Sequence, residues 1–536
     1  MITLANHLMR GLLCSLLVTV SVAADSPERT RGTGQLPARP PGQYCPLNAS
    51  DHAEQPTFRL GRPCVGTTYF YWYDKATGAH IVDPDGSDAL TTHPKDLENI
   101  SYKSSDWHRA QMLDMIDAGI DFLMPVFWGY PEDYKTHWSY VGLPPLVRAH
   151  DQLRKAGKKP PAIGLFYDTS SIQHNRFRGK PTHMDLSTDL GKDWFYTTIR
   201  DFFSMIPPSR WARVDGRPVV FFYSPAFAAG QDPTQFDYVR RRFGKDFGCG
   251  LFLVRHVGWQ GDTDASYSWG GAISLKLGDK VAGLGPGYDH AAVPGRSPLV
   301  VDRRDGAFYI ESWSRLLAMS PKTRPFMVHV ETWNEWHEGT DIADSKEYGR
   351  QYIDLTRQFA DRFRNGVRLT PIGAYAHAKR VTWRPGKPDG LDLRPSAEDG
   401  QWAEATVSGR KVARTRPNEL SAGRYLYFRI DDSFLFDDTG VTVDVQVTYV
   451  DAGCARFLLE YDNTRADQGP VDGAFRPARW VTVNGDGALK TASFTLVDGR
   501  FANRANGADF RLTVDGESRT LSVAEVTVSR RRAEPR

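Results

Sequence analysis

Residues 326–340 read Phe326-Met-Val-His-Val-Glu-Thr-Trp-Asn-Glu-Trp-His-Glu-Gly-Thr340, a strand and the segment it delivers. The apolar residues Phe326, Met327, Val328 and Val330 predict a short buried strand. Directly after it, Glu331, Glu335, Trp336, His337 and Glu338 are packed too densely with acid and aromatic groups for a simple connection. Strand ends in α/β proteins are where rigid backbone hands side chains to a cleft. Two carboxylates beside indole rings suit cleavage of a glycosidic bond. One acid protonates the leaving oxygen, a second carboxylate assists on the sugar, and aromatic faces hold the apolar side of the ring. The alternative is a polar helix N-terminus whose glutamates complement the dipole. The tryptophans and the histidine gain nothing from that arrangement.

Outward from this strand, apolar runs alternate with helix-period segments from residue 65 to 365. Strands are expected at 65–72, 122–127, 162–167, 218–223, 251–254, 267–275, 281–284 and 326–331. Helices are expected at 107–118 (closed by Gly119), 146–156, 194–205, 236–243, 310–319 and 346–363. Strand-helix repetition over about 300 residues fits an α/β fold of the (β/α)8 TIM-barrel type better than a doubly wound sheet. No Gly-rich phosphate fingerprint follows the first strand. Past residue 400 the period changes to two. Turn residues such as Asn484-Gly-Asp-Gly487 and Asp498-Gly499 separate short strands, which predicts a C-terminal antiparallel β-sandwich. The expected organisation is a signal peptide (1–24), a Pro-rich disordered lead-in (25–60), the barrel (61–370), a linker (371–399) and an accessory, carbohydrate-binding-like sandwich (400–536).

The N-terminus has the layout of a secretory signal: Arg10, an apolar core from Gly11 to Val20, and Val22-Ala23-Ala24 at the cleavage position. Leu13 before Cys14 argues against lipid attachment. A secreted or periplasmic protein is expected, with no membrane insertion after cleavage because no later stretch is long and apolar enough. A net charge of only +3 gives no nucleic-acid footprint. Cys45 and Cys64 are close enough in sequence for a disulfide staple, which export permits, whereas Cys249 and Cys454 are expected as buried thiols. No Cys/His spacing suggests zinc, and no metal or cofactor is expected. Asp83-Pro-Asp-Gly-Ser-Asp88 reads as a turn, because Asp88 stands where an EF-hand needs glycine. Asn48-Ala-Ser50 and Asn99-Ile-Ser101 match glycosylation sequons. The closing Arg530-Arg531-Arg532 reads as a solvated tail.

Trp333-Asn-Glu-Trp-His-Glu-Gly-Thr340 resembles the motif of glycoside hydrolase family 99, the endo-α-mannosidase and endo-mannanase barrels, and more loosely family 71. Tyr69-Phe-Tyr-Trp-Tyr73 is similar to the aromatic first strand of those barrels. Met115–Met124 with Val126-Phe-Trp-Gly129 is similar to the second strand, and Gly285-Pro-Gly-Tyr-Asp289 to the loop after strand seven. The resemblance covers residues 65–365 and leaves the sandwich outside it. It implies a retaining mechanism in which Glu335 deprotonates the sugar 2-hydroxyl, which attacks C1 to give an epoxide-like intermediate. Glu338 is then general acid and afterwards general base. The residues alone do not select this step, since a nucleophilic pair stands about 5–5.5 Å apart and an inverting pair about 6.5–9.5 Å. Glu338 as acid needs a pKa raised toward neutrality, which Trp336 and partial burial are expected to provide.

Tyr71, Tyr73, Trp128, Trp259, Trp269, Tyr288 and Trp333 fall at predicted strand ends, where each is either a stacking platform or core. Asp168 and Asp289 either bind a sugar hydroxyl or cap a helix. Glu331 is a third acid near the cleft or half of an ion pair, and His256 and His337 are candidate donors to a substrate oxygen. The expected ligand is an oligo- or polysaccharide. Three functions fit: hydrolysis of an α-linked glycan (mannoside-like by the resemblance), glycan binding on a hydrolase scaffold, or polysaccharide processing in export or biofilm turnover.

Overall fold

A computed structural model describes residues 28–29, 36–37, 39–47, 58–129, 134–177, 179–296, 299–369, 374–394, 400–407, 409–416, 424–437, 441–465, 468, 470–516 and 519–531. The expected signal peptide and the Asn48 sequon lie outside them. Asn99 is exposed, its amide donating to Asp96. The chain divides into two compact units, the first ending at Val367 and the second taking in Arg368 onward together with Ala318–Ser320.

The first unit is built on a nearly closed, mostly parallel sheet. Its parallel strands are β1 (Cys64–Tyr69), β2 (Phe122–Phe127), β3 (Ala162–Ile163 and Leu165–Tyr167) and β4 (Arg217–Phe222). They continue with β5 (Phe252–His256), β6 (Ala265–Tyr267), β7 (Val281–Leu284) and β8 (Met327–Val330). The order across the sheet is β6-β5-β4-β3-β2-β1-β8-β7, followed by the antiparallel strand Lys276–Leu277. β8 pairs with β1 from Met327↔Cys64 to Val330↔Thr67, joining the two ends of the unit's sequence. Between β6 and β7 the ladder shrinks to one parallel bridge, Ser266↔Lys280.

Helices α1 (Ser105–Ala118), α2 (Leu143–Lys155), α3 (Asp189–Met205), α4 (Gln235–Phe247), α5 (Ala307–Ala318) and α6 (Gln351–Arg364) fall between or after these strands. α1 starts where the Ser104 hydroxyl accepts from Trp107 N and stops at Gly119, whose left-handed backbone lets its N–H cap the Ile116 carbonyl. Among the described residues no α-helix separates β5, β6 and β7, so the unit departs from regular strand-helix alternation there. The expected strand 267–275 is instead a three-residue β6, a turn, and the strand Lys276–Leu277. The strands are buried on both faces, which is why they read as apolar runs without alternation.

The second unit consists of antiparallel sheets. In one, Ser522–Arg531 pairs along one edge with Arg380–Arg384 and Arg410–Thr415, and along the other with Thr442–Val450. The second sheet runs Leu391–Arg394, Tyr425–Ile430, Phe510–Val514, Arg456–Tyr461, Arg476–Thr482. Inward residues of both, including Val381, Trp383, Phe428, Val445, Leu459, Phe494 and Val526, form one apolar core.

Several expectations change. Residues 380–394, expected in the linker, are three strands of these sheets: Gly386 and Gly390 are left-handed turn positions, not connector glycines. The lead-in is tied down where it is described, because Gly42 N and Tyr44 N both donate to Ser204 at the end of α3. Arg530 and Arg531 belong to a strand; Arg530 donates to the Ala376 and Ala378 carbonyls and Arg531 pairs with Asp444. Cys45 and Cys64 form no disulfide. Cys64 opens β1 beside Asp121, whereas Cys45 sits near Arg200 and Asp246, and both thiols are pushed up by burial. Cys454 is buried and Cys249 half-buried. The Asp83–Asp88 segment is a turn: Asp85 accepts from Ser87, and Asp88 from Leu90 N and His93. Among the described residues no group of three or more His, Cys, Asp and Glu side chains is placed to hold a metal. Among them also, no helix is long and apolar enough to cross a membrane.

Candidate active site

Past Val330 the chain does not start a helix; α6 begins only at Gln351. Residues 332–343 form a loop whose ends bond each other: Thr332 N donates to Thr340 O (2.9 Å) and Ala343 N to Trp333 O (2.9 Å). Inside it, Glu335 N donates to the Thr332 hydroxyl (2.8 Å). The Asn334 amide clamps the loop to the end of β1, accepting from Phe70 N (2.8 Å) and donating to Phe70 O (2.6 Å). Arg303 donates to the Gly339 and Asp341 carbonyls, and Asp289 N to the Glu338 carbonyl. The glutamates therefore stand on backbone fixed from several directions, with few degrees of freedom left to order on binding.

Glu335 is buried. Its Oε1 accepts from His337 Nδ1 (2.8 Å), while Oε2 has no hydrogen-bond partner. Burial, reinforced by the nearby Glu338 charge and opposed by His337 and Arg296, pushes its carboxyl up to about 7. Glu338 is also buried, and its Oε1 accepts from Arg296 Nη1 at 2.7 Å. The same Nη1 reaches the Tyr288 hydroxyl (3.3 Å), which meets His290 Nδ1 at 3.0 Å. The Tyr73 hydroxyl accepts from Trp336 N (3.2 Å) and lies 3.4 Å from His337 Nδ1. Glu331 lies at the end of β8 and takes two backbone donors, Gly270 N (2.8 Å) and Gly271 N (2.7 Å), on Oε2. Burial pushes it up to about 8.

Of the residues singled out from the sequence, Glu335, Glu338, His337, Tyr73, Tyr288, Asp289 and Glu331 are linked by these bonds and charges. Others belong elsewhere. Trp333 is fully buried and donates from its indole nitrogen to Gln111 on α1 (2.7 Å). Tyr71 is buried, with its hydroxyl on the Ser139 carbonyl. Trp259 packs between Phe195 and Phe236 and donates to Tyr223 O. Asp168 caps the short helix Thr169–Ile172 through Oδ1 and accepts from Trp128 Nε1 through Oδ2 (2.6 Å), so both oxygens are engaged. Trp269 packs on Phe166, Tyr223 and His329. His256 faces Tyr267. The Trp336 ring packs on Tyr73 in the core, and the Glu338 carboxylate meets Arg296. Burial favours the neutral form of Glu335 and of Glu331.

Three residues at the site were not expected. Arg296 lies in the β7–α5 loop, whose sequence gives no periodic signal. Trp72 and His80 stack with centroids 4.5 Å apart, and Trp72 meets His337 edge-on at 5.8 Å. Trp72 was visible as part of an aromatic run; His80 carried no signal.

A parallel barrel sheet with a buried glutamate pair on a clamped loop after its last strand defines the class of protein. The chain belongs to the family described as a domain of unknown function (DUF5010), whose model matches residues 53–371. No curated protein matches it. Among solved structures it is similar to the GH99 endo-alpha-mannosidase from Bacteroides thetaiotaomicron, at 16% identity over 58% of this chain and 99% of that one (TM-score 0.42). It is similar also to a glycoside hydrolase-like protein, at 16% identity over 57% of this chain and 96% of that one (TM-score 0.41). A third is the CBM22-1 xylan-binding domain from Paenibacillus barcinonensis Xyn10C, at 13% identity over 29% of this chain and 94% of that one (TM-score 0.20).

Proposed function

We propose that this protein is a secreted, retaining glycoside hydrolase acting on an α-linked glycan, mannoside-like by the resemblance of its motif. In this reading the sheet is a (β/α)8 barrel lacking the helices after β5 and β6. One observation carries it: two buried glutamates three residues apart, each bonded to a different partner, His337 for Glu335 and Arg296 for Glu338. Buried carboxyls held in unlike surroundings are suited to different proton tasks. Glu335, with a carboxyl near neutrality and one oxygen free of hydrogen bonds, is suited to exchanging a proton with a sugar 2-hydroxyl. The alkoxide attacks C1 as the glycosidic C1–O bond breaks, and Glu338 gives its proton to the leaving oxygen. Water then opens the intermediate with Glu338 as base. Arg296 must release Glu338 before that transfer, and bound sugar displacing the guanidinium would do so. The second unit serves as an accessory module for polymeric substrate.

The test is turnover of a panel of α-linked glycans by purified protein, with Glu335→Gln and Glu338→Gln alongside. Hydrolysis lost in both variants supports the reading. Absence of turnover with preserved glycan binding replaces it with a binding role.

A further inference from the structure

The interior of the barrel near Glu331 holds a cation that the glutamate pair does not use. Directly paired residues in neighbouring strands share one face of a sheet. Lys276 pairs with Gly283 of β7, and Gly283 with His329 of β8. His329 packs on Phe166, Phe221 and Tyr267 from β3, β4 and β6, which identifies that face as the interior. His256 pairs with Tyr267 and meets its ring, so it faces the same interior. Gly283 makes room for the Glu331 carboxyl beside Lys276. A Cβ there would stand 2.8 Å from Glu331 Oε1 and 3.6 Å from Lys276 Cβ.

Among the described residues Lys276 and Glu331 form no close ion pair and no acceptor hydrogen-bonds the Lys276 ammonium, which burial pushes below the ordinary lysine range. The nearby Glu331 charge opposes that shift, while burial pushes the Glu331 carboxyl itself up to about 8. His256 Nδ1 accepts from Gly258 N (3.3 Å), which leaves the ring proton on Nε2 as a donor. Burial pushes this ring down to about 4, so it is neutral at pH 7. A half-buried ammonium is costly unless something anionic meets it.

We propose that Lys276 and His256 line a subsite that takes a carboxylate carried by the glycan, as on a uronic acid residue. The carboxylate gives one oxygen to the ammonium and accepts from the imidazole N–H, bonds stronger than those to a neutral hydroxyl. The inference rests on the glycan reading of the site but not on turnover.

The test uses uronate oligosaccharides based on glucuronate, galacturonate and mannuronate, each beside its carboxyl-reduced counterpart, with dextran sulfate as a further anion. Binding to the full chain is measured by calorimetry at pH 7, so that a protein which binds without hydrolysing still gives an answer. The expected result is at least tenfold tighter binding of one native oligosaccharide than of its reduced form. Lys276→Gln removes that preference, weakening the native form far more than the reduced one, and Lys276→Arg, which keeps the charge, retains part of it. Equal affinity within every pair, or a preference that survives Lys276→Gln, overturns the proposal. Lys276-dependent binding of dextran sulfate alone overturns the carboxylate assignment.

Discussion

Arg296 Nη1 stands 2.7 Å from Glu338 Oε1, and both side chains are largely withdrawn from solvent. Removing one partner of such a pair strands the other charge. Arg296→Met is therefore expected to cost about 3 kcal/mol of stability in chemical denaturation. The double variant Arg296→Met/Glu338→Gln should recover most of that loss. If the two single losses simply add, the ion pair is not what holds this corner together.

Glu338→Gln should abolish hydrolysis of substrates with poor leaving groups while sparing activated aryl glycosides, because only the proton donor is lost. Glu335→Gln should abolish both, and a 2-deoxy substrate should fail with wild-type protein. Equal loss on both substrate types in Glu338→Gln would remove that residue from the acid role, and a leaving-group effect seen only in Glu335→Gln would exchange the two roles. Efficient turnover of the 2-deoxy substrate would exclude the epoxide route.

Glu331 gives a pH signature in stability. Its carboxyl is raised in the folded protein from about 4.5 to about 8, so the fold favours the protonated form. The contribution is fully present below pH 4.5 and is lost as pH rises through 8. Glu331→Gln keeps an acceptor for Gly270 and Gly271 but cannot ionise. Its melting temperature relative to wild type should therefore climb between pH 5 and 8 and stay level below 4.5. A flat difference across that range would show that Glu331 is not buried as a neutral acid.

Trp333 and Asn334 are structural in this fold although they stand inside the motif. Trp333→Ala should destabilise by about 3–5 kcal/mol, as large-to-small changes in a packed core do. Trp333→Phe should leave KM unchanged, and a raised KM would return Trp333 to the sugar. Asn334→Ala removes both bonds to Phe70 and should cost about 2 kcal/mol.

A fragment spanning 374–531 should unfold cooperatively by itself, since its core draws on both of its sheets. Trp480 is exposed, with the Arg456 guanidinium 4.3 Å from its ring, whereas Tyr461 is core and bonds Asp498. Trp480→Ala should weaken binding to long glycans and leave short ones unaffected. Equal effects on both lengths would make the unit a stabilising cap.

The strands of the barrel were legible because both faces are buried, leaving runs such as Phe122–Phe127 without a polar residue. The glutamate pair was legible because it shares one short segment with the strand that presents it. Arg296 was not, because it reaches the site through loop geometry, nor was the interior position of Lys276, which strand pairing sets. The missing helices after β5 and β6 were hidden by strands of only a few residues separated by polar turns. The start of the second unit was misplaced because Pro385-Gly386 and Pro388 look like connector residues. Lys387–Asp389 is an exposed outermost strand, where proline is tolerated. Aromatic residues were the weakest guide, since a tryptophan at a strand end reads alike whether its ring meets sugar or Gln111.

The bonds between Asn334 and Phe70 span 264 residues of sequence. They join the segment after β8 to the end of β1, strands paired across one of the longer loop closures in this unit. The frame of both glutamates thus depends on contacts between the two ends of the unit's sequence. A barrel nicked between these segments is expected to lose the alignment of Glu335 and Glu338, so that alignment reports closure of β8 onto β1.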